Sequence, residues 1–456
     1  MMIIMQKPKS SPASRFDDHP TVRSLRAAGL PAPSVTTLSL QEIRALALAA
    51  GADDAAAVSL DHPDLVEEVP WVLRALPGAK TLVAIVMKMH VDDVRSPMRS
   101  IANLEFHRTG EATDAVAHRL AVALTERGHR AINPSMAFPM EMDEFPGRAW
   151  VVSHKRVAVA AQLGRMGLHR SVIHPRFGSF ILLGTVITTA EAAGTLPRLD
   201  FDPCVSCKLC VAACPVGAIE PDGGFRFSAC YDHNYREFMS GFADFAEAIA
   251  DSRDRFDLRR RVSQSETASM WQSLAYKPNY KAAHCIAVCP AGEDLLGDFL
   301  RDRAGHLRDV VRPLDARTEP VYVVKGSDAE AHVAKRFPHK RLRIVQSSLR
   351  PAHARAFFRA IPLTFQRGPA KGWRACFHFD LSGEHAVQAT VRIDDGTLAV
   401  EDGLVGTPDV VVSADGEVWM GIVTKARSPV WAVISRRLRV QGDRSLLSRF
   451  AACFPR

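Results

Sequence analysis

The sequence predicts an α+β chain of several domains, on three observations. Its 456 residues exceed the usual single domain, and 47% of them are hydrophobic, enough for more than one core. Helix-period and strand-period segments alternate over 35–200 and again beyond 345. Between those stretches, seven of the nine cysteines crowd into positions 204 to 289, which marks a unit held by metal ligation in a reducing compartment.

Residues 1–34 read as an extension. MMIIMQKPKSSPAS has a short apolar run and then Lys, Ser and Pro, with neither the apolar length nor the small-residue site of a secretory signal, so the chain is expected in the cytoplasm. No apolar window reaches the roughly 18 to 20 residues of a membrane helix, and no transmembrane segment is expected. From 35 to 200, LSLQEIRALALAAG is a helix stopped at Gly51, TLVAIVM (81–87) a buried strand, and TDAVAHRLAVALTERGH (113–129) an amphipathic helix ending near Gly128. RVAVAAQLG is a helix beside the Gly-punctuated loop MGLHRSVIHPRFGS, and FILLGTVIT (180–188) a buried strand.

The cysteine unit runs over 201–305. Within it Phe238, Phe242, Phe245 and Ile249 share one helical face and read as core. Residues 306–344 read as a linker of strand, helix and strand. In 345–456, ACFHFDLSG, AVQATVRID, GTLAVEDG and DVVVSAD are strands between Gly/Asp turns, and EVWMGIVTKARSPVWAVISRR is helical. The formal charge of +8 is uneven: residues 331–456 carry 20 Lys and Arg against 10 Asp and Glu. Such a surface suits anionic headgroups or is simply a solvated face. The nearly neutral remainder lacks a counterion-releasing surface, so no nucleic-acid partner is expected.

Cys204, Cys207, Cys210 and Cys214, followed by Pro215, make C-x2-C-x2-C-x3-C-P, the bacterial ferredoxin run, whose fourth Cys serves the other of two clusters. Three thiolates on one tight loop each reach a different iron of a cubane, while the fourth points to a neighbouring site. Zinc is the alternative, but its sites usually pair two separated C-x2-C knuckles. Cys285-x3-Cys289-Pro290 repeats the last half of the run. Cys289 is therefore expected to complete a first 4Fe-4S cluster with Cys204, Cys207 and Cys210. Cys214, Cys230 and Cys285 would hold a second cluster and leave it one ligand short, because Ala282 stands where a complete motif has cysteine. His284 is the candidate for the gap, with His233 near in sequence; an imidazole would raise the potential, and a three-iron cluster is the other outcome. Cys376 and Cys453 read as small buried hydrophobes. Two clusters in series imply electron transfer from a donor such as ferredoxin or flavodoxin.

The segment AQLGRMGLHRSVIHPRFGSFILLGTVITT (161–189), with the ferredoxin run soon after it, resembles the epoxyqueuosine reductase and reductive dehalogenase superfamily of cobalamin-dependent iron–sulfur enzymes. Ala161, Leu163, Gly164, Gly167, Pro175, Gly178, Ser179, Leu183, Gly184 and Thr188 match that family's corrinoid motif, and GHRAINPS (128–135) is similar to a second stretch. The resemblance covers roughly 70–300. It implies a nitroreductase-like α/β domain over 35–200 and a possible cobalamin at Gly164, Gly167, Pro175, Gly178 and Ser179. Gln162, Leu168 and Thr189 depart from the motif, and Asn133, Pro134 and Ser135 occupy the region of the family's acid. His169 and His174 are then the catalytic candidates as proton donors, with His129 and Glu141 nearby. Residues 345–456 resemble a sterol-carrier-protein type domain, through VRIDDGTLAVEDG and the PDVVVSADGEVWMGIVTKARSPVWAVISRRLRVQGD stretch, which implies an apolar or lipid-like ligand.

Together these readings predict an iron–sulfur oxidoreductase passing electrons through two clusters to a corrinoid or other acceptor, for reductive cleavage of an apolar substrate. Two other readings are a ferredoxin-like electron-transfer protein without corrinoid, docking a partner or lipid through its C-terminal domain, and a lipid carrier whose clusters are structural.

Overall fold

The computed structural model describes residues 19–29, 37–136, 148, 150–237, 239–281 and 283–455. The expectations placed on Glu141, Phe238 and Ala282 lie outside the described residues.

The N-terminal unit is built from α1 (Leu40–Ala49), β1 (Asp54–Ser59), β2 (Thr81–Lys88), α2 (Arg99–Glu126), β3 (Ala131–Ile132), α3 (His154–Ala160) and β4 (Ile181–Thr188). The strands form one antiparallel sheet in the order β1-β2-β4-β3, with Val83 opposite Ala57 on one side and Val186 on the other. Both faces are covered, which is why TLVAIVM reads as a continuous apolar run. Val83 and Ile85 pack with Ile43 of α1 and Val116, Leu120 and Leu124 of α2, while Leu82, Ala84 and Val86 pack with Val157 and Ala158 of α3. Helix α1 opens on a Ser39/Glu42 capping box and ends at Gly51, whose φ of +106° suits glycine. Helix α2 starts fourteen residues before the expected 113.

The cysteine unit holds α4 (Leu209–Ala213), α5 (Phe227–Asn234), α6 (Met239–Ala250), α7 (Gln264–Tyr276) and α8 (His284–Ala287). The aromatic stripe on α6 is not core: Phe242 and Ile249 are 46% and 48% exposed. That helix is held instead by ion pairs of Asp244 with Arg236 and Arg350, and of Glu247 with Arg350.

Residues 306–344 do contain strand, helix and strand: β5 (Pro320–Val324), α9 (Asp328–Arg336) and β6 (Arg341–Val345), with β5 and β6 parallel. They are more than a linker. Val321, Val323, Ala329, Val333 and Phe337 share a core with Cys210, Cys214, Val216, Ala218 and Ile219, so this strand-helix-strand is the floor of the cysteine unit.

The C-terminal unit contains α10 (Ala354–Thr364), β7 (Arg374–Ser382), β8 (Val387–Asp394), β9 (Thr397–Asp402), β10 (Val410–Asp415), α11 (Gly416–Val423), α12 (Pro429–Ile434), β11 (Leu438–Gly442) and α13 (Ser445–Ala452). Its sheet order is β9-β8-β7-β10-β11, with only β7 and β10 parallel. The β8–β9 turn uses Asp395 and Gly396, both at positive φ, the pair a two-residue hairpin favours. Rings of Phe357, Phe358, Phe377, Phe379, Trp419 and Phe450 fill the space between sheet and helices. Cys453 is buried as expected, while Cys376 is half-buried.

Candidate functional site: the cysteine centre and its surround

The two cysteine halves fold alike. Helices α4 and α8 each begin after a residue in the left-handed region, Lys208 (φ 52°) and Ala283 (φ 61°), and each carries a cysteine, Cys210 or Cys285, as its second residue. Cys214 and Cys289 then follow, each before a proline. Ser206 (φ 56°) adds a second left-handed turn to the loop carrying Cys204 and Cys207. A left-handed non-glycine residue costs about 1–2 kcal/mol, so its recurrence at matched places argues for a constraint that the surrounding contacts impose.

The thiols fall into two sets. Among thiols Cys210 is acted on first by Cys285 and then by Cys289, Cys207 and Cys204, and Cys289 by Cys207 and Cys204. Cys285 is acted on chiefly by Cys230 and Cys214, and Cys230 by Cys214. The sets adjoin, because Cys285 acts on Cys210 and Cys289 acts on Cys285. Burial first, and neighbouring thiols second, push Cys210 up to about 12; burial and then Cys214 do the same for Cys230. Burial also raises Cys214, Cys285 and Cys289. Such thiols stay protonated until a positive centre displaces the proton. Cys230 and Cys285 are half-buried and pack against the core shared by Cys210 and Cys214. Among the described residues no three His, Cys, Asp or Glu side chains close round a single metal ion. An all-thiolate donor set on the ferredoxin spacing suits iron–sulfur clusters.

His284 does not join the second set. Its ring faces the Glu319 carboxylate at 3.9 Å, and the charges that act on it most are Arg99 and Lys340. Burial holds it well below its usual range. His233 also turns away, its Nδ1 accepting the Tyr322 N–H at 3.3 Å. The groups that do stand beside Cys230 and Cys285 are the Tyr235 phenol and the Lys155 ammonium, and sequence reasoning missed both. Lys155 donates to the Arg170 carbonyl at 2.7 Å. Rings run on from Tyr231 through Tyr235 to Tyr280 and His107 at centroid spacings of 5.4, 5.8 and 5.7 Å.

The residues matched to the corrinoid motif are sealed by protein. A Cβ at Gly164 would stand 2.4 Å from the Ile173 carbonyl oxygen, at Gly167 2.5 Å from Ile173 Cδ1, and at Gly178 1.8 Å from the Ala291 carbonyl oxygen. The Pro175 carbonyl accepts the Glu293 N–H at 2.9 Å, and Ser179 is 1% exposed. These five positions do not fit a corrinoid, because protein atoms already fill the space over the glycines. Gly178 and Pro175 form a joint with the chain after Cys289, while Gly164 and Gly167 lie against Ile173.

Nor do the two nominated histidines face a substrate space. His174 Nδ1 accepts the N–H groups of Arg176 and Phe177 at 3.2 and 3.3 Å, and its Nε2 donates to Asp54 Oδ2 at 3.1 Å. Asp54 in turn takes Arg44 at 2.8 Å. His169 is 5% exposed, and burial, aided by Lys155, brings it down to about 4. Its Nδ1 accepts the Ser171 N–H at 3.1 Å and its Nε2 meets Ser179 Oγ at 3.3 Å. His129 is buried also.

Comparison with known proteins agrees with this geometry at the level of segments. Residues 197–220 match the 4Fe-4S binding domain, and residues 364–455 match the SCP-2 sterol transfer family. An epoxyqueuosine reductase from Synechococcus sp. (strain RCC307) is 30% identical over 151 residues, covering 32% of this chain and 42% of the relative. The chain resembles epoxyqueuosine reductases. It spans about two-fifths of that curated relative. Among solved structures, epoxyqueuosine reductase from Streptococcus thermophilus superposes with a TM-score of 0.30 at 20% identity, over 41% of this chain and 54% of that one. A catabolic reductive dehalogenase in complex with 3-bromo-4-hydroxybenzoic acid gives 0.37 at 15% identity, over 66% and 37%. Superpositions this loose carry no argument about function. The SCP-2 match begins at 364, but Phe357, Phe358 and Ile361 of α10 already belong to that core. Among the described residues no helix is long and apolar enough to cross a membrane.

Proposed function

We propose that this protein is an iron–sulfur oxidoreductase that carries electrons through two adjacent clusters to an acceptor at its N-terminal α/β unit. The first cluster is held by Cys204, Cys207, Cys210 and Cys289, the second by Cys214, Cys230 and Cys285 with its fourth position not supplied by His284. What supports this is the match of residues 197–220 to the 4Fe-4S binding domain, together with seven thiols from three separate stretches of chain gathered close enough to act on one another. Reductive cleavage of a carbon–heteroatom bond is the reaction class implied by the resemblance to epoxyqueuosine reductases, and the C-terminal unit, through its SCP-2 match, would select an apolar substrate. Anaerobic reconstitution with iron, sulfide and EPR tests the reading: about seven to eight irons and two signals are expected, the second unlike an all-thiolate cubane. Four irons or fewer would remove the two-cluster arrangement.

A second reading, electron transfer to an external partner without corrinoid, is favoured by the sealed glycines. Titration with cobalamin separates the two, since saturable uptake supports a corrinoid seated elsewhere on the N-terminal unit and none supports the carrier. For the C-terminal unit we propose an apolar, lipid-like ligand. Its support is the SCP-2 match, the orphaned indole N–H of Trp419, buried at 8% exposure, and the exposed Val430, Trp431 and Ile434 of α12 beside Lys425, Arg427, Arg436 and Arg437. A ligand must displace rings that fill this core, so slow uptake of a fluorescent fatty acid is expected, and no saturable uptake would sink this assignment.

A further inference from the structure

We propose that α12 and the basic turns on either side of it form a docking surface for an anionic lipid bilayer. The surface belongs to the C-terminal unit and needs neither loaded clusters nor a lipid-like ligand within the core.

Helix α12 shows its apolar side to solvent. Val430, Trp431 and Ile434 are 67%, 67% and 64% exposed and Val433 is exposed too, while Ala432 is buried at 5%. At about 100° per residue, Val433, Val430, Ile434 and Trp431 fall in one arc of about 160°, with Ala432 opposite. Seating Ala432 in the core that holds Trp419 and Leu438 therefore turns the four larger side chains outward. The helix ends hold this pose: Ser428 Oγ accepts the Trp431 N–H at 3.3 Å, and Ser435 Oγ donates to the Trp431 carbonyl at 2.8 Å. Apolar residues exposed singly are ordinary, but four within five positions make a patch of the kind that marks an interaction site.

Charge decides the occupant. From Val418 to Gly442 the chain carries Lys425, Arg427, Arg436, Arg437 and Arg439 and no Asp or Glu. All five cations are exposed, and none makes an ion pair among the described residues. Lys425 and Arg436 sit at left-handed turns, φ +63° and +58°, on the two sides of the helix. A nucleic acid would satisfy the cations and could stack on Trp431, but it leaves Val430, Val433 and Ile434 without a partner, because aliphatic side chains do not stack on bases. An anionic bilayer answers both features. Its headgroups meet the cations, while the indole and the aliphatic side chains enter the boundary between headgroups and acyl chains.

Six residues make a helix about 9 Å long, so α12 would lie in the interface and not cross it. Helix α11, which carries Trp419, leads directly into this surface. Docking there brings the bilayer beside the core to which an apolar ligand is assigned.

The test is co-sedimentation of the full chain with vesicles of phosphatidylcholine, with and without phosphatidylglycerol. Wild-type protein should bind the vesicles containing phosphatidylglycerol, leave those of phosphatidylcholine alone, and be released as salt rises. Arg437→Ala should weaken binding about fivefold, and Trp431→Ala about tenfold or more. Both side chains are exposed, so unfolding midpoints should match wild type. Arg259→Ala, the same change of charge at an exposed position of the cysteine unit, should bind as wild type does. Failure of wild-type protein to bind anionic vesicles overturns the proposal without recourse to any variant. Equal weakening by Arg437→Ala and Arg259→Ala also overturns it, since net charge alone would then act, and so does Trp431→Ala binding as wild type does. Retention of tRNA that Arg437→Ala weakens, with vesicles left unbound, assigns the surface to nucleic acid and overturns it as well. Vesicle binding by a protein that takes up no fatty acid keeps this proposal and removes only the assignment of an internal ligand.

Discussion

An alanine at position 178 would put its Cβ 1.8 Å from the Ala291 carbonyl oxygen while holding φ at +63°. Overpacking and a left-handed non-glycine residue together cost about 2 to 5 kcal/mol, so Gly178→Ala should lower the unfolding midpoint and release iron early on chelation. This residue was legible as a motif glycine, but what it touches was not, because its partner lies 113 positions away in sequence. The cysteines were legible for the opposite reason: their spacing encodes the reach of each thiolate, and residues 197–220 match the 4Fe-4S binding domain. His284 misled because adjacency to Cys285 says nothing of which way a helix turns it. A second residue-scale prediction concerns His154, 7% exposed, with Nδ1 on Thr185 Oγ1 at 2.9 Å. Burial lowers it from 6.5 to about 4. The unfolded chain therefore binds the proton more tightly than the folded one below pH 6.5. Stability from this group is complete above pH 6.5, is lost as pH falls toward 4, and amounts to about 3 kcal/mol over that interval. His154→Gln should narrow the difference between denaturant unfolding free energies at pH 7 and pH 4.5 by that order.

At the scale of elements, the paired short helices α4 and α8 give a direct test of the backbone they share. Ala283, at φ 61° and ψ 13°, occupies a conformation that glycine enters without strain. Ala283→Gly should therefore stabilise the folded protein by about 0.5 to 1 kcal/mol net of the extra freedom glycine gives the unfolded chain, with iron content unchanged. Thermal unfolding of the loaded protein measures it, and a loss of stability would mean that the methyl packs. The strands of both sheets were legible in sequence because apolar runs and Gly/Asp turns bound them. The first half of α2 was not, since its buried face carries Arg99, Glu105 and Thr109 in place of apolar residues. Glu105 Oε1 accepts from the His90 N–H at 2.7 Å and from Thr109 Oγ1 at 2.9 Å, and Arg99 donates to the Val94 carbonyl at 2.9 Å. Polar groups satisfied this way bury without leaving a hydrophobic period to read.

Across the whole molecule, one carboxylate ties the cysteine unit to the C-terminal unit. Glu220 closes the ferredoxin-type segment; its Oε1 takes Arg226 at 2.8 Å, and its Oε2 pairs with Arg367 of the C-terminal unit at 2.7 Å without hydrogen-bond alignment. Arg226 also lies 3.9 Å from Asp328 at the start of α9, and Asp328 accepts the Gly368 N–H at 3.1 Å. Glu220 and Asp328 side chains are only 12% and 13% exposed, so the network is poorly screened. None of this was legible in sequence, where the basic excess of the C-terminal unit reads as a free surface. Glu220→Ala leaves the Arg226 and Arg367 guanidinium groups facing each other over a lost anion. The expected cost is about 1 to 3 kcal/mol, in the range for a hydrogen-bonded charge removed from a mostly buried pair. Part of that cost is cation repulsion, which added salt relieves, so the deficit against wild type should shrink between low and high ionic strength. Because the lost contacts join units and not the interior of any one, cleavage by protease between β6 and α10 should quicken while cluster content holds. Glu384→Ala is the control, since that glutamate is exposed and makes no ion pair among the described residues. Equal cleavage of the two variants would show that the joint rests on apolar packing and not on this carboxylate.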